Sequence, residues 1–311
     1  MNVVVLLVDT LRYDYSHLIP AFSEGMVFER MYSPSTFTYP VLCSLRSGLY
    51  PVHHGWRTWP EGGPFKAATT LEECLTYGGY NIHHTLEVPP SSETRYIRRP
   101  KETPYFTFCW YMGIHDRIFS SAVPPKGVIG RKYKSSVLYA ADWVERAIQK
   151  FDGDMILLFG DHGIGLAGDK LLKEGQDVGA GQVYDFRVRV PCTLIGPRIL
   201  PCKIKEAYSL VDLMPTILYL LGFPVPHALD GFVVGKRNEP VLLEAQSPFS
   251  IWPSKVPNVF GATDGKFKVM ITPDGNLCFD LENDPGEKEH RKDLLRGPAQ
   301  YLWDYVKEGL L

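Results

Sequence analysis

Two carboxylates and an imidazole stand where apolar runs stop. Val3 to Val8 is uninterrupted apolar chain that ends at Asp9, and the run over 154–160 ends at Asp161-His162-Gly163. Short apolar runs of this kind read as buried strands. In a sheet wound with helices on both faces, ligands gather beyond the carboxyl ends of the strands. Carboxylate oxygens and an imidazole nitrogen are together a donor set for Mg²⁺, Mn²⁺ or Zn²⁺. A lone Asp after a strand is usually a turn or helix-cap residue. The joint position of these groups at the ends of two core strands is what raises a cation site above that reading.

The elements that must carry them alternate. Buried strands are expected at 2–8, 105–112, 154–160 and 190–195, with helical patterns between them. Thr70 to Tyr77 opens on a Thr with Glu73 three residues on, a capping box, and stops at Gly78-Gly79. Val137, Ala140, Ala141, Val144, Ile148 and Phe151 form one stripe of a helix over 135–151. A further helix over 212–221 opens with Asp212, carries Pro215 in its first turn and ends at Gly222. Beyond about 240 the rhythm becomes short β-like segments (240–245, 257–263, 266–272, 277–282) with Asp-Gly turns at 264–265 and 274–275. A closing helix is expected over 297–309. The expected class is α/β: a doubly wound sheet over 1–240, then a small antiparallel sheet with a terminal helix over 241–311. The loop over 87–104, rich in Pro, Ser and Arg, reads as the segment with least structure of its own.

Composition sets the bounds. The 311 residues are 45% hydrophobic, enough for a large core, and a formal charge of −2 offers no global field for nucleic acid. The six cysteines are scattered without a CxxC pair and read as mostly reduced core residues, which suits a cytoplasmic protein. Asp9 closes the first apolar run too early for a membrane span, and that run lacks the flanks of a signal peptide.

A third segment links these pieces to a family. Ser35-Thr36-Phe37-Thr38-Tyr39-Pro40 leads into a helix-like stretch that closes with Ser47-Gly48-Leu49-Tyr50-Pro51-Val52-His53-His54-Gly55. With Asp9-Thr10-Leu11-Arg12 before it, this resembles the sulfatase family of the alkaline phosphatase superfamily, whose members carry a nucleophile in a C/S/T-x-P motif and a T/S-G-x-Y-P-x-x-H-G tail. The likeness continues through Trp110-Tyr111-Met112-Gly113-Ile114-His115, Gly160-Asp161-His162-Gly163, Val183-Tyr184-Asp185 to Arg189-Val190-Pro191, Ser209 to Leu218 and Phe279 to Glu287. It implies an alkaline-phosphatase-like three-layer fold.

The same resemblance places the nucleophile at Thr38, ten residues before Gly48, with the motif proline at Pro40. Cys43 is the rival, because sulfatases oxidise a cysteine to formylglycine, but Cys43-Ser44-Leu45-Arg46 lacks the proline. A threonine in this slot resembles the phosphodiesterase, phosphonate hydrolase and phosphoethanolamine transferase branches. The implied ligand set is Asp9, Thr38, Asp161 and His162 around one divalent ion (Mn, Mg, Zn or Ca), with His115 on the substrate oxyanion or leaving oxygen. The family's charged groups are missing: Leu42 replaces an Arg, Thr10 a second Asp, and Gly179-Ala180-Gly181 a Lys or His. Arg12, Arg46, Lys170 and Lys173 are the candidates to supply that charge; Arg12 reads equally as a structural ion-pair partner. His54 matches the motif histidine and reads as structural, and His53 as surface.

The expected activity is metal-dependent hydrolysis or transfer of phosphoesters, diesters included, or phosphonates through a covalent threonine. The alternatives are a sulfuric ester hydrolase and a non-catalytic sulfatase-like binding or scaffold protein. Small-molecule, lipid or glycan esters are the expected partners, with no nucleic acid and no transmembrane segment.

Overall fold

A run of Val and Leu with no polar alternation can be a strand only where both faces are covered. That is the setting of β1 (Val3–Val8), every residue of which is buried. The computed structural model describes residues 1–57, 69–88, 97–119, 130–166, 169, 181–245 and 259–310. After β1 come β2 (Met26–Tyr32), α1 (Thr38–Ser47), α2 (Pro51–His54), α3 (Leu71–Tyr77), β3 (Asn81–Val88) and β4 (Tyr105–Tyr111). They are followed by α4 (Gly113–Phe119), α5 (Gly130–Lys150), β5 (Met155–Gly160), α6 (Asp185–Val188), β6 (Arg189–Ile195), β7 (Cys202–Ser209) and α7 (Leu213–Leu221). Among the described residues these strands form a seven-stranded sheet in the order β3-β4-β1-β5-β6-β2-β7.

β1 lies between β4 and β5, parallel to both, with Val8 opposite Tyr111 on one side and Gly160 on the other. Alternate residues divide its burial. Val4, Leu6 and Val8 pack in one core with Tyr133, Val137, Ala140 and Val144 of α5. Val3, Val5 and Leu7 pack in another with Val41 and Leu45 of α1, Leu71 of α3 and Ile217 of α7. Helix, sheet and helix therefore make three layers, as expected. Each buried Val or Leu contributes about 1.5–3 kcal/mol, so β1 is fixed firmly enough to serve as a reference for the groups at its end.

The sheet holds strands that the sequence reading does not list. β6 runs antiparallel to β5 and β2, so the sheet is mixed. β2 and β7 escape detection because neither is an apolar run. Glu29-Arg30 interrupts β2 at a bulge, and β7 exposes Cys202, Lys203, Lys205 and Glu206 at the sheet edge. Cys202 is accordingly an exposed thiol and not a core residue; all six cysteines are free. The Thr70 capping box is present, and Gly222 ends α7 in the left-handed conformation (φ 79°). α5 begins five residues before the expected helix. Much of the 87–104 loop, residues 89–96, lies outside the described residues.

The remaining chain forms β8 (Val241–Ala245), β9 (Val259–Thr263), β10 (Phe267–Thr272) and β11 (Gly275–Asp280), an antiparallel sheet in the order β11-β10-β9-β8, and the helix α8 (Gln300–Leu310). The Asp264-Gly265 turn joins β9 to β10, with Gly265 at φ +85°. Two ties hold this sheet to the larger one. The Glu244 backbone N–H donates to the Pro34 carbonyl at 3.0 Å, four residues before Thr38. Lys268 of β10 is fully buried and pairs with Asp185 and with Glu287, the latter at 2.8 Å. Among the described residues no helix is long and apolar enough to cross a membrane.

Candidate functional site

Parallel pairing of β1 with β5 brings their carboxyl ends together, and the next residues on each are Asp9 and Asp161-His162. One ligand atom from each of Asp9, Asp161 and His162 lies within 4.8 Å of the others, and all three residues are buried. The turn after β1 is braced for this purpose. Thr10 takes the left-handed conformation (φ 63°), which is uncommon outside glycine. There its backbone N–H donates to Asp161 Oδ1 at 2.9 Å and its hydroxyl donates to Asp9 Oδ1. Its carbonyl accepts from the buried Tyr133 hydroxyl of α5 at 2.7 Å. Trp110 of β4 donates its indole N–H to Asp9 Oδ2 at 2.9 Å.

His162 is held in one tautomer. Nδ1 lies 2.9 Å from the Gly163 carbonyl, which can only accept, so Nδ1 carries the proton and Nε2 the lone pair. Nε2 faces the Thr38 hydroxyl at 3.3 Å and Asp161 Oδ2 at 3.5 Å. Thr38 reaches this position as the first residue of α1, whose N-terminal end favours negative charge. His115 of α4 is partly exposed, its Nδ1 3.5 Å from Asp116, and it stands close enough that a charge on it would act on both Asp9 and His162.

The electrostatics fit a cation. Burial, then the Asp161 charge, push Asp9 up to about 6. Burial also raises Asp161, against the Thr38 hydroxyl and then backbone N–H donation from Thr10 and His162. Burial and then the Arg187 guanidinium hold His162 down to about 3, so the imidazole is neutral and ready to ligate. Oδ2 of Asp161 is buried and receives no hydrogen bond of ordinary geometry. Two sequestered carboxylates, an oriented imidazole and an undersatisfied oxygen suit a divalent ion, which would offset the cost of keeping both carboxylates ionised.

The structure thus brings Asp9, Asp161, His162 and Thr38 together, with His115 in electrostatic reach. The candidates for a missing positive charge fare differently. Arg12 is buried and paired at 2.8 Å with both Asp14 and Asp169, and Arg46 pairs with Glu72 at 2.6 Å, so both are structural. Lys170 and Lys173 lie outside the described residues. Cys43 sits inside α1, its thiol pushed up to about 11 by burial, and is no thiolate nucleophile. His54 is buried, with Nδ1 accepting the Trp56 N–H at 3.1 Å, so its Nε2–H donates to Ser44 at 3.0 Å and cannot act as its base. His53 is half exposed and pairs with Asp230. Trp110 and Arg187 contribute here without having been singled out, and Thr10, noted only as replacing a second Asp, braces the site. Alternation along β4 places Trp110 in a core, but nothing in the sequence aims its N–H at Asp9.

An α/β fold of the alkaline phosphatase type, with a carboxylate–imidazole centre at its strand ends, is the class defined by these features. A family model described as Sulfatase matches residues 93–223. Arylsulfatase A of Homo sapiens is 34% identical over 116 residues, 34% of this chain and 22% of its own length. Choline-sulfatase of Rhizobium meliloti (strain 1021) is 29% identical over 185 residues, 54% of this chain and 34% of its own. The chain therefore matches no more than 34% of the length of either relative. Among solved structures, a 2-O GAG sulfatase superposes with a TM-score of 0.75 at 15% identity, covering 99% of this chain and 92% of that one. The phosphonate monoester hydrolase of Agrobacterium radiobacter gives 0.70 at 14% identity, covering 99% and 94%. Over residues 93–223 the chain is similar to the sulfatase family, and over nearly its whole length it has the fold of sulfatases.

Proposed function

We propose that this protein is a metal-dependent hydrolase or transferase of phosphoesters, diesters included, or of phosphonates, with Thr38 as its covalent nucleophile. The observation that carries the reading is the Thr38 hydroxyl, 3.3 Å from the lone-pair nitrogen of His162 beside two buried carboxylates. A free threonine hydroxyl is a weak nucleophile at neutral pH. Asp9, Thr38, Asp161 and His162 would hold a divalent ion, which would lower the pKa of that hydroxyl and neutralise charge on the reacting group. The start of α1 keeps Thr38 on the anion-favouring end of the helix. Once the Thr38 proton has passed to solvent, in-line attack by its oxygen forms a phosphothreonyl ester and breaks the bond to the leaving oxygen, which takes a proton from His115. Water or an acceptor alcohol then gives its proton to His115, attacks phosphorus and frees Thr38.

A second reading, sulfate ester hydrolysis, is favoured by the relatives, arylsulfatase A and choline-sulfatase among them. It ranks below the first because Thr38 cannot become formylglycine. The structurally similar phosphonate monoester hydrolase supports the phosphorus reading. The leaving group belongs to a small-molecule, lipid or glycan ester. The six free thiols support a cytoplasmic setting.

The test is metal analysis of the purified protein with assays on aryl phosphate, diaryl phosphate, aryl phosphonate and aryl sulfate, beside Thr38→Ala. Diester or phosphonate turnover that falls at least about a thousandfold in T38A supports the proposal. Turnover of sulfate alone overturns it in favour of the second reading. A folded protein that binds no divalent ion and turns over nothing leaves a binding role.

A further inference from the structure

Arg187 is a cation sealed into the protein, 4% exposed, on the short helix α6. Its Nη1 donates to the Gly163 carbonyl and its Nη2 to the Thr36 carbonyl at 2.9 Å. Those carbonyls belong to the two loops that build the site. Gly163 follows His162, and Thr36 precedes Thr38 by two residues. The backbone reinforces the first contact, because the Gly163 N–H donates to the Arg187 carbonyl at 2.7 Å. It also reinforces the second, because the Ser33 N–H donates to the Val188 carbonyl at 2.7 Å. One planar guanidinium therefore spans the loop carrying the hydroxyl and the loop carrying the imidazole. Each of its terminal nitrogens donates to a backbone carbonyl, which gives the guanidinium the geometry of a brace.

We propose that Arg187 is a positioning residue that fixes the spacing between the Thr38 hydroxyl and the His162 imidazole; this rests on the reading of Thr38 as part of the cation centre. A guanidinium fork holds two acceptors in fixed directions, whereas a lysine ammonium in its place reaches one carbonyl at a time. His162 keeps its tautomer without Arg187, since the Gly163 carbonyl accepts from Nδ1 directly. Loss of Arg187 frees the Thr38 loop and also removes its charge from His162; only the first effect depends on the Thr38 hydroxyl.

The test is a double-mutant cycle read by calorimetric titration of Mn²⁺ into the full-length metal-free protein: wild type, Thr38→Ala, Arg187→Ala and the double variant. T38A and R187A are each expected to weaken Mn²⁺ binding about tenfold. The double variant is expected to match T38A within about twofold, because no hydroxyl is left to position. Methylguanidinium is expected to restore Mn²⁺ affinity to R187A and to leave the double variant unchanged. Additive losses in the double variant overturn the proposal, as does R187A binding Mn²⁺ as wild type does. T38A binding Mn²⁺ as wild type does also overturns it, since Thr38 is then no part of the centre. If R187A does not fold, Arg187→Lys takes its place in the cycle, with a partial loss expected alone and none on top of T38A. Wild-type protein that binds Mn²⁺ but hydrolyses none of the aryl esters refutes the proposed function while leaving this cycle readable.

Discussion

Asp9 must lose a proton to ligate a cation, and burial beside Asp161 has made that proton hard to remove. Its pKa is raised from 3.8 to about 6, so without metal the shift favours the folded state below pH 3.8. That contribution is lost as pH rises through 6, where a bound cation takes over the stabilising role. Mn²⁺ affinity is accordingly expected to fall by up to about tenfold per pH unit below 6 and to level off above it. His162, neutral down to about pH 3, adds nothing to that slope. Titrations at pH 5 and 7.5 check this, and equal affinities would show that Asp9 is not a ligand. Replacing Trp110 with Phe keeps the ring in the core but removes the indole N–H from Asp9 Oδ2. It is expected to weaken Mn²⁺ binding tenfold or more with little change in thermal stability.

At the scale of the element, the strand ends work only because the loops after them are packed without slack. A Cβ on Gly163 would stand 2.0 Å from the Phe186 carbonyl oxygen and 3.0 Å from Arg12 Cγ. Gly163→Ala must therefore push the His162 loop off α6, costing about 1–3 kcal/mol in urea denaturation and most of the Mn²⁺ affinity. A G163A protein with wild-type affinity would mean that the loop can move without disturbing the centre. These close approaches mark the limit of what a sequence discloses. β1, β4 and β5 are legible because burial on both faces leaves an apolar run, and such strands deliver Asp9 and Asp161 to a common edge. Thr38 comes to notice only through the resemblance, whose motif sets it ten residues before Gly48 and two before Pro40, and the structure places its hydroxyl 3.3 Å from His162 Nε2. β7 is not, because an edge strand has half its residues in water and reads as loop. Arg187 is not, because an arginine between apolar residues looks the same whether it meets solvent or two buried carbonyls. What decides its role is the approach of α6 to two loops distant from it in sequence.

For the whole molecule, the buried group with most at stake is Lys268. It sits at 0% exposure between Asp185, beside the large sheet, and Glu287, beyond the small one. Lys268→Met strips the cation from two enclosed carboxylates and is expected to cost about 3–5 kcal/mol. Chemical denaturation measures it, and a loss below about 1 kcal/mol would show that the carboxylates find another partner. The small sheet also holds the chain just ahead of Thr38, through the Glu244 N–H and the Pro34 carbonyl. That tie separates the order of synthesis from the order of assembly. On the ribosome, Asp9, Thr38, Asp161 and His162 have all emerged long before Glu244. The nascent protein thus holds every proposed ligand while the loop that presents its hydroxyl still waits for its anchor.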